Sequence, residues 1–186
     1  MNTGRIEVIC GSDGSGKTAM AFGKALYALS QQKQVIVIQF LKGCGKRQDS
    51  LDIFKRLEPE LKVFRFEKSD HYYESLTPDE KEEECCNIKN GLNYARKVLT
   101  TGECDLLILD EALGLVDQGI VTAEELLSMT DCRDEEDVIL TGKVLPPEIQ
   151  EAADKIKQAV VLRTPERFFC STAAKSDLKE RRIPRE

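Results

Sequence analysis

The chain has 186 residues, 41% of them hydrophobic and 32% charged, with a formal net charge of −6. That length supports one substantial core rather than two domains of usual size, and the acidic balance argues against a nucleic-acid backbone as partner, which needs clustered Lys and Arg. No apolar run approaches the roughly 18 residues of a bilayer span, and MNTGRIEVIC lacks the basic and long apolar segments of a secretion signal, so a cytoplasmic protein without a membrane partner is expected.

Short runs rich in Val, Ile and Leu alternate with longer helical patterns along the whole chain, which predicts an α/β fold with a mainly parallel central sheet and helices on both faces. The first strand, RIEVIC, runs into GSDGSGKT, and a helix over about 17–31 opens at once behind it. The second strand is QVIVIQF, followed by a helix over about 46–57 and a third strand, KVFRF, whose Phe64 and Phe66 are read as sheet residues facing the core. SDHYYESL leads to the longest helix, about 78–100, where Thr77 caps, Pro78 suits the first turn and Glu80 completes a capping box. Its acidic run Asp79 to Glu84 suits the positive end of the helix dipole, and Ile88, Leu92, Ala95 and Leu99 form one apolar stripe. DLLILD is the fourth strand, TAEE starts a helix over about 122–129, DVILTG is the fifth strand, a helix spans about 146–156, and AVVLR is the sixth strand. The whole, 1–186, is a single P-loop nucleotide-binding domain with a C-terminal tail at about 164–186, whose closing KSDLKERRIPRE, five basic against three acidic residues, is read as solvated. Cysteines at 10, 44, 85, 86, 104, 132 and 170 include no C-x-x-C pair, and His71 is the lone histidine; free thiols are expected, with Cys85 and Cys86 at neighbouring helix positions.

Gly11, Ser12, Asp13, Gly14, Ser15, Gly16, Lys17, Thr18 and Ala19 form a phosphate cradle between a strand and a helix. Its glycines admit backbone N–H groups to phosphate oxygens, and the helix adds its positive end. Lys17 supplies a point charge to the outer phosphates and Thr18 a hydroxyl to Mg²⁺ or Mn²⁺. CDLLILDE ends a buried strand in two carboxylates at the carboxyl edge of the sheet, where open α/β folds bind ligands. Asp110 is expected to bind the metal directly or through water, and Glu111 to hold a metal-bound water or act on a nucleophile. Gln39, Lys42 and Thr141 sit at strand ends on the same edge, as ligand contacts or as local hydrogen-bonding residues. These features leave the reaction open: a kinase or hydrolase attacks the terminal phosphorus, whereas an alkyl transferase attacks the ribose carbon.

Several separated segments resemble, in the same order, the ATP:corrinoid adenosyltransferases: the loop with AMAFGKAL, then VIVIQFLKG, DLLILDE, and VILTGKVLPPEIQEAADKI. Together they cover most of residues 5–157. The resemblance implies a RecA-like P-loop NTPase fold, often a homodimer, in which a Co(I) corrinoid attacks the 5′ carbon of MgATP and tripolyphosphate leaves. It assigns Lys17, Thr18 and Glu111 to catalysis, ATP to the loop, and the metal to Thr18, Asp110 and Glu111, with a reductase as the source of Co(I). The chain has no Trp, and where the family carries a Phe-x-Trp element it has SDHYYESL, so Tyr72 and Tyr73 are read either as corrinoid contacts or as partly buried anchors. Tyr27 stands where the family tends to carry an Arg, and the family's closing Lys-His-x-Phe segment has no counterpart in RTPERFFCSTAAKSDLKERR. The alternatives are an NTPase or phosphotransferase, in which Glu111 and one of Arg133, Arg163 or Arg167 would act at the terminal phosphate, and a non-enzymatic nucleotide- or corrinoid-binding relative.

Overall fold

In the computed structural model, which describes residues 4–42 and 54–161, six strands pair side by side and all in parallel. They are β1 (Ile6–Gly11), β2 (Val35–Gln39), β3 (Leu61–Arg65), β4 (Leu106–Asp110), β5 (Asp137–Gly142) and β6 (Lys155–Ala159), in the spatial order β3-β2-β4-β5-β1-β6. The α/β parallel-sheet architecture expected from the sequence is therefore what the chain adopts, and β5 separates the loop-bearing strand β1 from the acidic strand β4.

Alternation along each strand distributes the side chains between two cores. Ile6, Val8, Ile36, Ile38, Leu107, Leu109, Val138 and Leu140 face α2 (Pro78–Thr101), α3 (Ala112–Asp117), α4 (Ala123–Thr130) and α5 (Pro147–Ala152). Ile9, Val35, Val37, Leu106, Ile108 and Ile139 face α1 (Lys17–Ser30), with Phe22 of α1 stacked on Phe54 at 4.4 Å. Complete burial of the central strands explains why they read as continuous apolar runs.

Both anticipated capping boxes are present: Thr77 with Glu80 starts α2, and Thr122 with Glu125 starts α4. Ile88, Ala95 and Leu99 are buried, and Leu92 packs partly against the same core. Phe64 and Phe66 are half-buried against Tyr94 of α2, with ring centroids 4.9 and 5.7 Å apart. Cys85 and Cys86 are free thiols on α2. No helix among the described residues is long and apolar enough to cross a membrane.

The sixth strand departs from expectation. It begins at Lys155, and Val160 and Val161 of the AVVLR run are 63% and 55% exposed beyond its end. Asp154 sets this register: its backbone N–H donates to Ile6 O at 2.9 Å, and its carboxylate accepts from Ile6 N at 2.8 Å. The same anchor ends α5 at Ala152 rather than near 156. As an edge strand, KIKQA is mostly exposed and lacks the apolar run that marks the buried strands. The short helix α3 was not anticipated, and of the helix expected at 46–57 the described part is a 3-10 turn, Phe54–Leu57; residues 46–53, 162, 163 and the tail at 164–186 lie outside the described residues.

Two buried carboxylates link the exit of β2 to the segment after β3, and that segment to α2. Glu84 accepts from the backbone N–H groups of Lys68 and Ser69, both at 2.8 Å, and from Asn87 at 2.7 Å. Glu67 accepts from the backbone N–H of Leu41, and burial pushes its carboxyl up from the ordinary 4.5 to about 7. Between those two values the folded state holds a proton that the unfolded chain has released, so stability falls as pH rises from about 4.5 to about 7. Glu67→Gln should remove that component, gaining on the order of 2 kcal/mol on the wild type at about pH 8 relative to about pH 5; urea midpoints at the two pH values measure it.

Candidate nucleotide and cation site

The phosphate loop leaves the sheet at Gly11 and enters α1 at Lys17. Gly14 and Gly16 adopt φ of 74° and 88°, the left-handed region that glycine enters without a steric penalty, and Ser15 N closes the turn on Ser12 O at 3.2 Å. A Cβ on Gly11 would stand 2.4 Å from Ala159 O and 2.8 Å from Ser15 Oγ, so the end of the β1–β6 pairing requires a glycine there. Ser12, Asp13, Gly14, Gly16 and Ala19 are exposed around the mouth of the loop, and the Asp13 carboxylate is 3.5 Å from Lys143 Nζ. Lys17 is buried, and its ammonium donates to Gly11 O at 2.9 Å and Ser12 O at 3.1 Å. The loop's own carbonyls thus hold the charge in place beneath the cradle.

The second half of the site is one row across the sheet. Pairing puts Arg65 of β3 beside Gln39 of β2, and Gln39 beside Asp110 of β4. Thr141 of β5 follows, and all project toward the face that carries α1, one step beyond the apolar row Val63, Val37, Ile108 and Ile139. Asp110 is fully buried and is met by three hydrogen-bond donors and one ion pair. Thr141 Oγ1 at 2.7 Å and Thr18 Oγ1 at 3.1 Å bond Oδ1, while Gln39 Nε2 at 3.0 Å and Lys42 Nζ at 3.3 Å reach Oδ2. Arg65, which can only donate, bonds Gln39 Oε1 at 2.9 Å and so turns the amide's NH₂ toward Asp110. Thr141 also accepts from the backbone N–H of Glu111 at 2.9 Å.

All three strand-end residues singled out from the sequence, Gln39, Lys42 and Thr141, therefore converge on Asp110. Glu111 begins α3 in the left-handed conformation, φ 65°, which brings its carboxylate back to 3.6 Å from Lys42 Nζ. Among the described residues its carboxylate is met by Lys42 alone, whereas both Asp110 oxygens are engaged. Thr18, Asp110 and Glu111 offer hard oxygen donors, the set that suits Mg²⁺ or Mn²⁺, and the ammonium of Lys42 already lies among them. The chemistry of these residues fits a divalent cation on a bound triphosphate.

Tyr72 and Tyr73 part company. Tyr73 packs against the α2-side core with its hydroxyl 3.1 Å from Cys85 Sγ, and Lys81 Nζ lies 5.5 Å from its ring centroid. Tyr72 is 64% exposed. Arg133 is not available to a terminal phosphate: it bonds Gly4 O at 3.1 Å and Thr130 O at 2.9 Å at the opposite, amino-terminal edge of the sheet. Arg163 and Arg167 lie outside the described residues. Sequence reasoning passed over Arg65 and Glu67; the one available signal, a charged residue alternating with aromatics in VFRFE, gains meaning only when strand order sets Arg65 beside Gln39.

The model of the family described as ATP:corrinoid adenosyltransferase BtuR/CobO/CobP matches residues 2–166. A corrinoid adenosyltransferase of Escherichia coli is 26% identical over 154 residues, 82% of this chain and 75% of that one. Corrinoid adenosyltransferase CobA of Salmonella typhimurium is similar to the same extent, 26% over 154 residues with the same shares. A corrinoid adenosyltransferase of Pseudomonas aeruginosa is 24% identical over 152 residues, 81% of this chain and 72% of that one.

Removing Asp110 leaves Thr18, Gln39, Thr141 and Lys42 without their common acceptor. Asp110→Ala should lower the unfolding free energy by about 2–4 kcal/mol in urea titration, with a smaller loss for Asp110→Asn.

Proposed function

This chain belongs to the ATP:corrinoid adenosyltransferase family, and from that premise we propose that it transfers the 5′-deoxyadenosyl group of ATP to a Co(I) corrinoid and releases tripolyphosphate. The cobalt substrate supplies both electrons of the new Co–C bond, the C5′–O bond breaks, and its electron pair leaves on the tripolyphosphate. The observation that carries this reading is the pairing, at 3.1 Å, of Thr18 at the head of α1 with Asp110 at the end of β4 within a chain of this family. It joins a phosphate cradle to a carboxylate pair, and among the described residues no activated side-chain nucleophile stands beside them. A nucleophile that arrives with the substrate needs none.

The protein's share is positioning and charge stabilisation. Backbone N–H groups of residues 12–17 would hold the triphosphate, and Lys17 would exchange its two loop carbonyls for phosphate oxygens. Thr18, Asp110 and Glu111 would hold Mg²⁺ or Mn²⁺, which when bound neutralises part of the triphosphate charge. Gln39, Thr141 and Arg65 keep Asp110 oriented. Of the two tyrosines, Tyr72 is the one free to meet a corrinoid, since Tyr73 is committed to the core and Cys85. The setting we propose is a cytoplasmic homodimer that receives Co(I) corrinoid from a reductase.

The test is an anaerobic assay of the protein with MgATP and chemically reduced corrinoid, followed by absorbance and by identification of the phosphate product. Light-sensitive adenosylcorrinoid with tripolyphosphate is expected, and Lys17→Ala should lower kcat/KM roughly 100-fold or more. ADP and phosphate would assign the chain to an NTPase, and bound ATP with no product to a binding protein. Tyr72→Ala should raise the KM for corrinoid by about tenfold while leaving that for ATP unchanged, whereas Tyr73→Phe should leave both unchanged.

A further inference from the structure

Lys42 occupies an unusual place for a lysine beside a phosphate loop. Its Nζ lies 3.3 Å from Asp110 Oδ2, 3.4 Å from Thr18 Oγ1 and 3.6 Å from Glu111 Oε2. These three oxygens come from three different elements, β4, α1 and the start of α3. An ammonium has three N–H groups, and here three oxygens surround it. The same three residues form the oxygen set assigned above to the divalent cation, so the inference rests on that reading. A cation of Mg²⁺ size needs its oxygens at about 2.0–2.1 Å, which leaves no room for the ammonium, and two positive charges so close repel strongly.

The residue before Lys42 is anchored by its backbone, whereas Lys42 itself is held through its ammonium. Leu41 adopts φ 55°, its N–H is held by Glu67, and its Cδ1 lies so near Gly114 that a Cβ there would come within 2.8 Å. Lys42 can thus leave the oxygens by swinging its four-carbon stem while Leu41 stays in place. Once it leaves, an incoming triphosphate on the neighbouring loop is the anion to receive it.

We propose that Lys42 is a tethered counter-ion: it fills the divalent-cation position in the nucleotide-free protein and moves to the triphosphate when metal and nucleotide enter together. The lysine offsets one of the two negative charges of Asp110 and Glu111 and occupies the space between them, so the site loads metal alone only weakly, and metal and nucleotide binding become mutually dependent. Such linkage between two ligands typically amounts to factors of about 5–150.

Equilibrium dialysis of Mn²⁺ against the full chain tests this. Without nucleotide, wild type should retain Mn²⁺ weakly and Lys42→Met about tenfold more tightly, while Lys42→Arg, which keeps a cation, should stay as weak as wild type. With ATP, wild type should retain Mn²⁺ and ATP together, and Lys42→Met should retain ATP about tenfold less tightly. Lys143→Met removes a cation near the loop, 3.5 Å from Asp13, that touches none of the three oxygens, and should leave Mn²⁺ retention unchanged. Equal Mn²⁺ affinity in wild type and Lys42→Met overturns the proposal, as does tight retention by Lys42→Arg or an equal gain in Lys143→Met. If wild type retains ATP but no Mn²⁺ with it, the cation site itself is wrong and the proposal falls with it. A Lys42→Met chain that fails to fold is replaced by Lys42→Gln, for which the same outcomes hold.

Discussion

A single carboxylate, Asp110, organises the ligand edge of this molecule. Burying it without compensation would cost several kcal/mol, and the structure answers with three hydrogen-bond donors, from α1, β2 and β5, and with the ammonium of Lys42 just after β2. Because each donor comes from a different piece of chain, the carboxylate cannot be satisfied unless the strands are in register and α1 starts where it does. Satisfying one buried charge therefore places Thr18, Lys42 and Glu111 relative to one another, without a bound ligand to draw them together.

Around that point the proposed reaction asks for charges that serve a leaving group rather than a nucleophile. Lys17 rests on the carbonyls of its own loop and Lys42 on the carboxylates, so two ammonium groups stand ready within the site at fixed partners. On the proposed reaction, most of the charge change falls on the departing triphosphate, and preorganised cations and backbone N–H groups are the means of stabilising it. Glu111 and Leu41, both at positive φ, and the loop glycines Gly14 and Gly16 mark where the backbone bends to bring these groups together, while Gly114 leaves room for the Leu41 side chain.

A second set of buried carboxylates serves the neighbouring segment. Glu67 holds the exit of β2, and Glu84 holds the chain that follows β3, so α2 reaches the ligand edge by way of side-chain-to-backbone hydrogen bonds. This accounts for part of the acidic run at the start of α2 that helix capping does not: Asp79 and Glu80 sit in the first turn, whereas Glu84 is buried and used. The Tyr72–Tyr73 segment lies between these anchors and α2, with one ring fixed and the other presented to solvent.

Sequence alone determined whatever depends on short-range rules. The phosphate loop was legible because its glycines must adopt particular backbone angles; the starts of α2 and α4, because a capping box closes within four residues; and the central strands, because burial on both faces demands unbroken apolar runs. The corrinoid family was legible because QFLKG and the Thr-Gly turn stand in order along the chain. What only the tertiary structure decided were the partners of those residues. Gln39, Arg65, Asp110 and Thr141 are far apart in sequence, and they become one row only through the strand order β3-β2-β4-β5. The edge strand β6 was misplaced because its pairing with β1 comes from the bonds of Asp154 to Ile6, not from an apolar pattern. A hydrogen bond between distant segments leaves no local periodicity behind, so the chemistry of each residue could be read in order, but its neighbour could not.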